Sequence, residues 1–242
     1  MTHQILKVAN LAKSYGKKKI LSDVSFHVNE AEIVGILGSN GSGKTTTFHI
    51  VIGLSAQDLG DIVLNGHCIN RRKIHERARL GLSYLAQEPS IFLDLTTEQN
   101  ILCILELLNF SKSTQQQLLR EHLQALNLTH LAKKKAAKLS GGERRRLEIT
   151  RSLICRPKIV LLDEPFANID PLSIDDVKKL MRHLKSLGIS ILITDHNARE
   201  ILSIVDRCYL LDRGRTIFEG TAKQLLADVE ARRIYLGDAF TL

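Results

Sequence analysis

The apolar run Ile33-Val34-Gly35-Ile36-Leu37 ends directly in Gly38-Ser39-Asn40-Gly41-Ser42-Gly43-Lys44-Thr45, with four free positions between its first glycine and the Gly-Lys-Thr. A chain with this pattern is held to one local design: a buried strand, a glycine loop and a helix that starts near Gly43. The glycines let the backbone wrap closely around an anion. The helix adds its positive dipole end and unpaired N–H groups. The pattern predicts a nucleotide site in which Gly38, Ser39, Asn40, Gly41, Ser42 and Gly43 cradle phosphates. Lys44 then reaches the β- and γ-phosphates as a point charge, and the Thr45 hydroxyl is placed to ligate Mg²⁺. Thr46 is the helix neighbour placed to touch a phosphate.

A second strand carries acid chemistry. Val160-Leu161-Leu162-Asp163-Glu164 is an apolar run ending in two carboxylates, at the end of a strand where open parallel sheets bind ligands. Asp163 is expected in the Mg²⁺ shell, and Glu164 is expected to orient or deprotonate an attacking water. Adjacent side chains on a strand point to opposite faces. Both can serve one site only if the strand stops, and Pro165 supplies the stop.

Between these two segments lies Leu139-Ser140-Gly141-Gly142-Glu143. Ser140 and Glu143 read as a capping box opening a helix on which Leu147, Thr150 and Ile154 share a face. With the phosphate loop before it and the Asp-Glu strand after it, the chain resembles the ATP-binding cassette ATPases. The resemblance implies an α/β P-loop NTPase core, RecA-like, with an inserted α-helical lobe. One domain spans 1–242, with 1–90 and 156–242 as the core and 91–155 as the lobe. It also implies that Ser140, Gly141, Gly142 and Glu143 contact the γ-phosphate held by a second subunit.

Further positions follow from that resemblance. Tyr15 resembles the aromatic that stacks on adenine, sensibly so because a ring offers a broad apolar face. Gln87 is similar to the glutamine that senses Mg²⁺ and the attacking water, although Ala86 stands where relatives commonly have proline. Asp170, in Asn168-Ile169-Asp170, resembles the loop that communicates across the dimer, and Asp170-Pro171 equally reads as a turn leading into a helix. His196 resembles the switch histidine that hydrogen-bonds the γ-phosphate. The resemblance makes the chain an enzyme that splits ATP with water into ADP and phosphate, with ATP and Mg²⁺ as cofactors and Glu164, His196 and Gln87 as its catalytic residues.

The chain has 242 residues, 44% of them hydrophobic, enough to bury a full core. Val24, Phe26 and Val28 alternate with polar residues like a half-exposed strand. Residues 33–37, 160–162 and 189–193 read as buried parallel strands. From 97 to 155 the pattern is helical, with Leu118, Leu119, His122, Leu123 and Leu126 in one stripe opened by Ser113 and Thr114. Val177, Leu180, Met181, Leu184 and Leu187 form another face, closed by Gly188. The longest apolar stretch, Ile101-Leu102-Cys103-Ile104-Leu105, is far short of the roughly 20 residues a spanning helix needs. The start, Met1-Thr2-His3-Gln4, lacks the basic and apolar regions of a signal sequence. Four dispersed cysteines, Cys68, Cys103, Cys155 and Cys208, are expected as buried free thiols in a reducing cytosol.

The formal net charge is +8. Lys17-Lys18-Lys19 and Lys133-Lys134-Lys135 are expected as solvated surface, because no aromatic residues interleave with them to stack on bases; no nucleic-acid partner is expected. Arg144, Arg145 and Arg146 open the helix after Ser140, where positive charge opposes the dipole, and point to nucleotide or inter-lobe contacts.

Within the family, the stretches 84–92, 164–171, 193–200 and 235–240 resemble the ATPases of lipopolysaccharide exporters. This implies a head-to-tail homodimer attached peripherally to the cytoplasmic face of the inner membrane. Two integral membrane subunits would be its partners, and it would power lipopolysaccharide extraction toward the outer membrane. Branched-chain amino acid importers are the alternative, and a soluble cassette ATPase acting on nucleic acid or ribosomes is a different class. Ile91 and Phe92, after Gln87, read as an exposed apolar pair suited to anchor a membrane partner's helix; packing of Phe92 under the helical lobe is the competing reading.

Overall fold

The computed structural model describes residues 3–88, 90–167 and 169–235. Pro89, Asn168 and the closing stretch 236–240 lie outside the described residues. The strands are β1 (Gln4–Tyr15), β2 (Lys18–Asn29), β3 (Ile33–Leu37), β4 (Leu59–Leu64), β5 (His67–Cys68), β6 (Leu82–Leu85), β7 (Ile159–Asp163), β8 (Ser190–Thr194), β9 (Arg207–Asp212) and β10 (Arg215–Gly220). They join one sheet in the order β5-β4-β1-β2-β10-β9-β3-β8-β7-β6.

One end of that sheet, β5-β4-β1-β2, is antiparallel. The other, from β9 through β3, β8 and β7 to β6, is parallel. Every residue of β3, β7 and β8 is buried, as expected for parallel strands covered on both faces. Along them the side chains alternate between two cores. Leu37, Leu162 and Ile193 join the core under the helical segment; Ile36, Leu161 and Leu192 join the core under β1 and β2. In β2, Val24, Phe26 and Val28 point into the second core while Ser25, His27 and Asn29 are half-buried and Asp23 is exposed. The expected strands at 160–162 and 189–193 are extended and shifted: pairing begins at Ile159, and the eighth strand runs from Ser190 to Thr194.

The helices are α1 (Lys44–Ile52), α2 (Ile74–Arg79), α3 (Thr97–Glu106), α4 (Lys112–Ala125), α5 (Gly141–Leu153), α6 (Pro171–Ser186), α7 (Ala198–Leu202), α8 (Ala222–Ala227) and α9 (Val229–Tyr235). The segment from α3 to α5 falls between β6 and β7, so a helical layer interrupts the parallel strands. α4 is opened by Ser111 rather than by Ser113 and Thr114, because the Ser111 hydroxyl accepts the Thr114 N–H. Leu119, Leu123 and Leu126 form its buried stripe, with Leu118 and His122 half-buried at the margins. On α6, Val177, Leu180, Met181 and Leu184 are buried, whereas Leu187 is 62% exposed. The helix has turned away there, and Gly188 leaves it at φ 84°, a left-handed conformation that glycine adopts freely.

Arg77 on α2 is fully buried and donates to the carbonyls of Ile50 and Val51, 2.6 and 2.7 Å away. It caps the C-terminal end of α1, where a cation complements the dipole. No helix among the described residues is long and apolar enough to cross a membrane. The cysteines do not all meet the expectation of burial. Only Cys208 is buried and Cys103 is half-buried, whereas Cys68 and Cys155 are exposed, since Cys68 sits on a two-residue edge strand and Cys155 follows the end of α5.

Candidate functional site

The strand, loop and helix from Ile33 to Ile52 take the predicted form. Gly38, Gly41 and Gly43 adopt φ of 150°, 81° and 107°. A Cβ on Gly43 would lie 2.3 Å from Leu21 Cδ2, and one on Gly38 would lie 2.4 Å from the Leu211 carbonyl oxygen. A Cβ on Gly41 would meet nothing within 4 Å, so its backbone faces open space. The turn precedes a helix whose N-cap, Gly43, offers no side chain to its first N–H groups. That helix start borders a cavity of about 400 Å³ lined by Asn40, Gly41, Lys44, Thr45, Thr46 and Glu164 among others. Lys44 is buried, and its ammonium donates to the carbonyls of Gly38 and Ser39 at 2.7 and 3.0 Å. Burial lowers its pKa, against the pull of the Glu164 and Asp163 carboxylates.

β7 ends at Asp163, and Glu164 takes φ 46°. A left-handed φ is costly for a glutamate, and it answers the problem of two adjacent carboxylates. The backbone reverses its twist at Glu164, pinned by a 2.7 Å bond from its N–H to the Thr194 carbonyl. Asp163 is 3% exposed and accepts from the Tyr84 hydroxyl at 3.2 Å. Burial raises its pKa, with the Glu164 charge acting in the same direction. Glu164 accepts from the Gln87 side-chain amide at 2.7 Å, and its Oε2 lies 3.4 Å from His196 Nδ1. His196 is exposed on the loop after β8. Asp195 beneath it is fully buried, accepting from the backbone N–H groups of Phe166 and Asn197 at 3.0 and 2.9 Å. Lys44, Asp163, Glu164, Gln87 and His196 thus gather at the C-terminal ends of β3, β6, β7 and β8.

Other expected residues lie off this cluster. Tyr15 is 52% exposed, outside the walls of the 400 Å³ cavity, with its hydroxyl 3.0 Å from Ser55 Oγ. Ser140 caps α5 in a capping box: Glu143 N–H donates to Ser140 Oγ at 3.2 Å, and Ser140 N–H to Glu143 Oε2 at 2.8 Å. Neither Ser140 nor Gly142 lines the phosphate cavity. Gly141 borders a separate 120 Å³ hollow with Gln87, Arg145 and Glu164. Gly142 packs against α6, where an added Cβ would fall 2.4 Å from Ser173 Cβ. Asp170 caps α6 by accepting the Ser173 N–H at 3.0 Å.

Ile91 and Phe92 are not an exposed pair. Ile91 is 8% exposed and joins the core under the helical segment, whereas Phe92 is 51% exposed. Successive residues of an extended loop face opposite ways, so one side chain of the pair anchors the loop. Arg151 stacks over the Phe92 ring at 4.9 Å and donates to the Ser90 carbonyl.

Three arginines open α5, and they divide. Arg144 donates to the carbonyls of Leu139 and Ala137, and Arg146 pairs with Asp176 on α6. Arg145, 6% exposed, donates to Ala86 beside Gln87, to Glu148, and to the Asp163 carbonyl. It ties the helical segment to the end of β6, which leads to Gln87, and to the end of β7, which carries the acids. Basic-run reading pointed to these contacts only generally, since three identical residues give no clue to which one turns inward. Lys18 and Lys19, at the start of β2, are exposed as expected of solvated surface, and they also line the phosphate cavity together with Arg213.

Residues 21–167 match the family model described as ABC transporter. The chain is 46% identical to the lipopolysaccharide export system ATP-binding protein LptB of Haemophilus influenzae, over 98% of this chain and 99% of that one. It is 43% identical to LptB of Escherichia coli K12, with 98% and 99% covered. Among solved structures, the ADP conformation of MJ1267, an ATP-binding cassette of an ABC transporter, superposes with a TM-score of 0.87 at 30% identity, covering 98% of this chain and 100% of that one. On its sequence, its fold and the order of its phosphate loop, capped glycine helix and acidic strand end, the chain is an ATP-binding and ATP-hydrolysing member of the ABC transporter family.

Proposed function

We propose that this chain is the ATPase subunit of a lipopolysaccharide exporter, 1–242 forming one cassette with a core of 1–90 and 156–242 and a lobe of 91–155. Two copies bind head to tail at the cytoplasmic face of the inner membrane, beneath two integral membrane subunits. The support for the cargo is likeness along essentially the whole chain to proteins named for that export system. The support for the chemistry is the convergence of Lys44, Asp163, Glu164, Gln87 and His196 beside one cavity of about 400 Å³.

In this reading the N–H groups around Gly38 to Gly43 and the Lys44 ammonium hold the β- and γ-phosphates. Asp163, the Thr45 hydroxyl and Gln87 would hold Mg²⁺, a hard cation that takes oxygen ligands. A buried carboxylate whose pKa is raised by desolvation fits a cation partner that relieves that burial. The bound ion would neutralise charge building on the phosphate oxygens. Glu164 accepts a proton from the attacking water, oriented by Gln87, and His196 donates to the γ-phosphate. Tyr15 offers its exposed ring to adenine. Ser140, Gly141 and Gly142 stand off the phosphate cavity of their own chain, so they serve the nucleotide of the second copy, and Asp170 lies in the loop that relays between copies. Phe92, exposed beside Gln87, is the anchor for a membrane partner, and Ile91 is the buried foot that fixes it.

Depleting the chain from its native cell should leave newly made lipopolysaccharide in the inner membrane. A version carrying Lys44→Ala should fail both to restore export and to bind MgATP. Normal export without the chain, or branched-chain amino acid uptake lost in its place, would overturn the assignment of cargo.

A further inference from the structure

The cavity in front of the glycine loop carries more positive charge than the Gly-Lys-Thr pattern supplies. Lys18, Lys19, Lys44 and Arg213 all line it, against the single carboxylate of Glu164. Arg213 reaches this place through an unfavourable backbone. β9 and β10 are joined by Arg213 and Gly214 alone, with Arg215 opposite Asp212, and the two turn residues take φ of 45° and 75°. That is a tight hairpin with both central residues left-handed, a position that favours asparagine, aspartate or glycine and disfavours a long side chain.

The turn is locked onto the site. Gly214 N–H donates to the Ser42 carbonyl in the glycine loop at 3.1 Å, and its carbonyl accepts Ser22 N–H at 2.8 Å. A Cβ on Gly214 would stand 2.2 Å from the Ile20 carbonyl oxygen, so the turn cannot shift to a residue with a side chain. Its place is set by glycine packing, yet the residue beside that glycine is an arginine, 93% exposed on its side chain, with its Nε 3.8 Å from Asp212 Oδ2 as a loose surface pair. Left-handed backbone also occurs at Ala31 and Arg156, so what singles out Arg213 is its place on the cavity wall, where strained residues tend to gather.

We propose that Arg213, with Lys18 and Lys19, forms an outer phosphate clamp on the nucleotide, facing the inner clamp of Lys44 and the loop N–H groups. This rests on the reading of the cavity as the ATP site. Guanidinium suits the outer position because its planar fork binds phosphate oxygens in pairs and keeps its charge at any working pH. The lysines add long-range attraction from the start of β2, on the cavity wall. Lys17, exposed like Lys18 and Lys19, lines no part of the cavity.

The test is titration calorimetry of MgATP against the full chain at low and high salt. Arg213→Asn fits the turn better than arginine does, so its melting temperature should hold or rise while the ATP dissociation constant weakens about threefold to tenfold at low salt. The loss should shrink at high salt, where exposed charges are screened. Lys18→Ala and Lys19→Ala should each weaken binding in the same salt-dependent way, Arg213→Lys should restore part of it, and Lys17→Ala should change nothing. ATP affinity of Arg213→Asn equal to the parent's at low salt overturns the clamp, provided Lys44→Ala abolishes binding. If Lys44→Ala also binds normally, the reading of the cavity as the ATP site falls with it.

Discussion

The side-chain amide of Gln87 donates to Glu164 Oε2 across 2.7 Å, joining the loop after β6 to the end of β7. The same carboxylate oxygen lies 3.4 Å from His196 Nδ1, so one acid at the end of β7 is shared between two residues, after β6 and after β8. Glu164→Gln keeps the shape and loses the proton acceptor. Turnover should fall by about 10² to 10⁴-fold while ATP still binds, and the variant should accumulate as an ATP-bound dimer by size-exclusion chromatography. Weakened binding with near-normal turnover would make Glu164 a structural residue.

Asp163 gives a pH-dependent prediction. Burial raises its pKa above that of an ordinary aspartate. The folded state therefore holds this proton more tightly than the unfolded chain. The stability this contributes is present below the unfolded pKa and is lost as pH rises through the folded one. At pH above that raised pKa the nucleotide-free chain carries a buried charge, so Asp163→Asn should stabilise it there by about 1 to 2 kcal/mol, seen as a higher Tm. That gain should vanish as pH falls through the carboxylate range. In MgATP the order should reverse, because an amide lacks the carboxylate charge proposed to hold Mg²⁺. A Tm difference independent of pH would show that desolvation of Asp163 is not its cause.

Gly142 tests the packing of the helix start against α6. A Cβ there would lie 2.4 Å from Ser173 Cβ, so Gly142→Ala should destabilise by about 1 to 3 kcal/mol through overpacking. Adding Ser173→Gly should recover most of that loss as non-additivity in a double-mutant cycle. Persistence of the full defect in the double variant would locate the damage elsewhere.

Phe92 and Ile91 should behave oppositely. Phe92→Ala removes an exposed ring under Arg151 and should lower the isolated chain's stability by less than about 1 kcal/mol while abolishing co-purification with membrane subunits. Ile91→Ala empties a buried position and should cost about 2 to 4 kcal/mol in denaturant unfolding. A large stability loss from Phe92→Ala, with assembly intact, would return Phe92 to the core.

Much of the site was legible in the chain because its chemistry is written in contiguous residues. The glycine loop, the acid pair after β7 and the Ser140–Glu143 capping box each depend on spacing within one turn or strand end, where backbone geometry leaves little choice. The buried runs at β3, β7 and β8 were equally plain, since strands covered on both faces admit few polar residues. What the sequence could not decide were contacts between segments remote along the chain. Nothing local distinguishes Arg145, buried against Ala86 and Asp163, from Arg144 and Arg146 beside it. Nothing local puts Ile91 inside and Phe92 outside, leaves Cys68 and Cys155 exposed, or brings Lys18, Lys19 and Arg213 to one cavity wall. Side-chain burial and charge pairing belong to the packed assembly of both sheet faces, and only the folded chain determines which way each of several like residues turns.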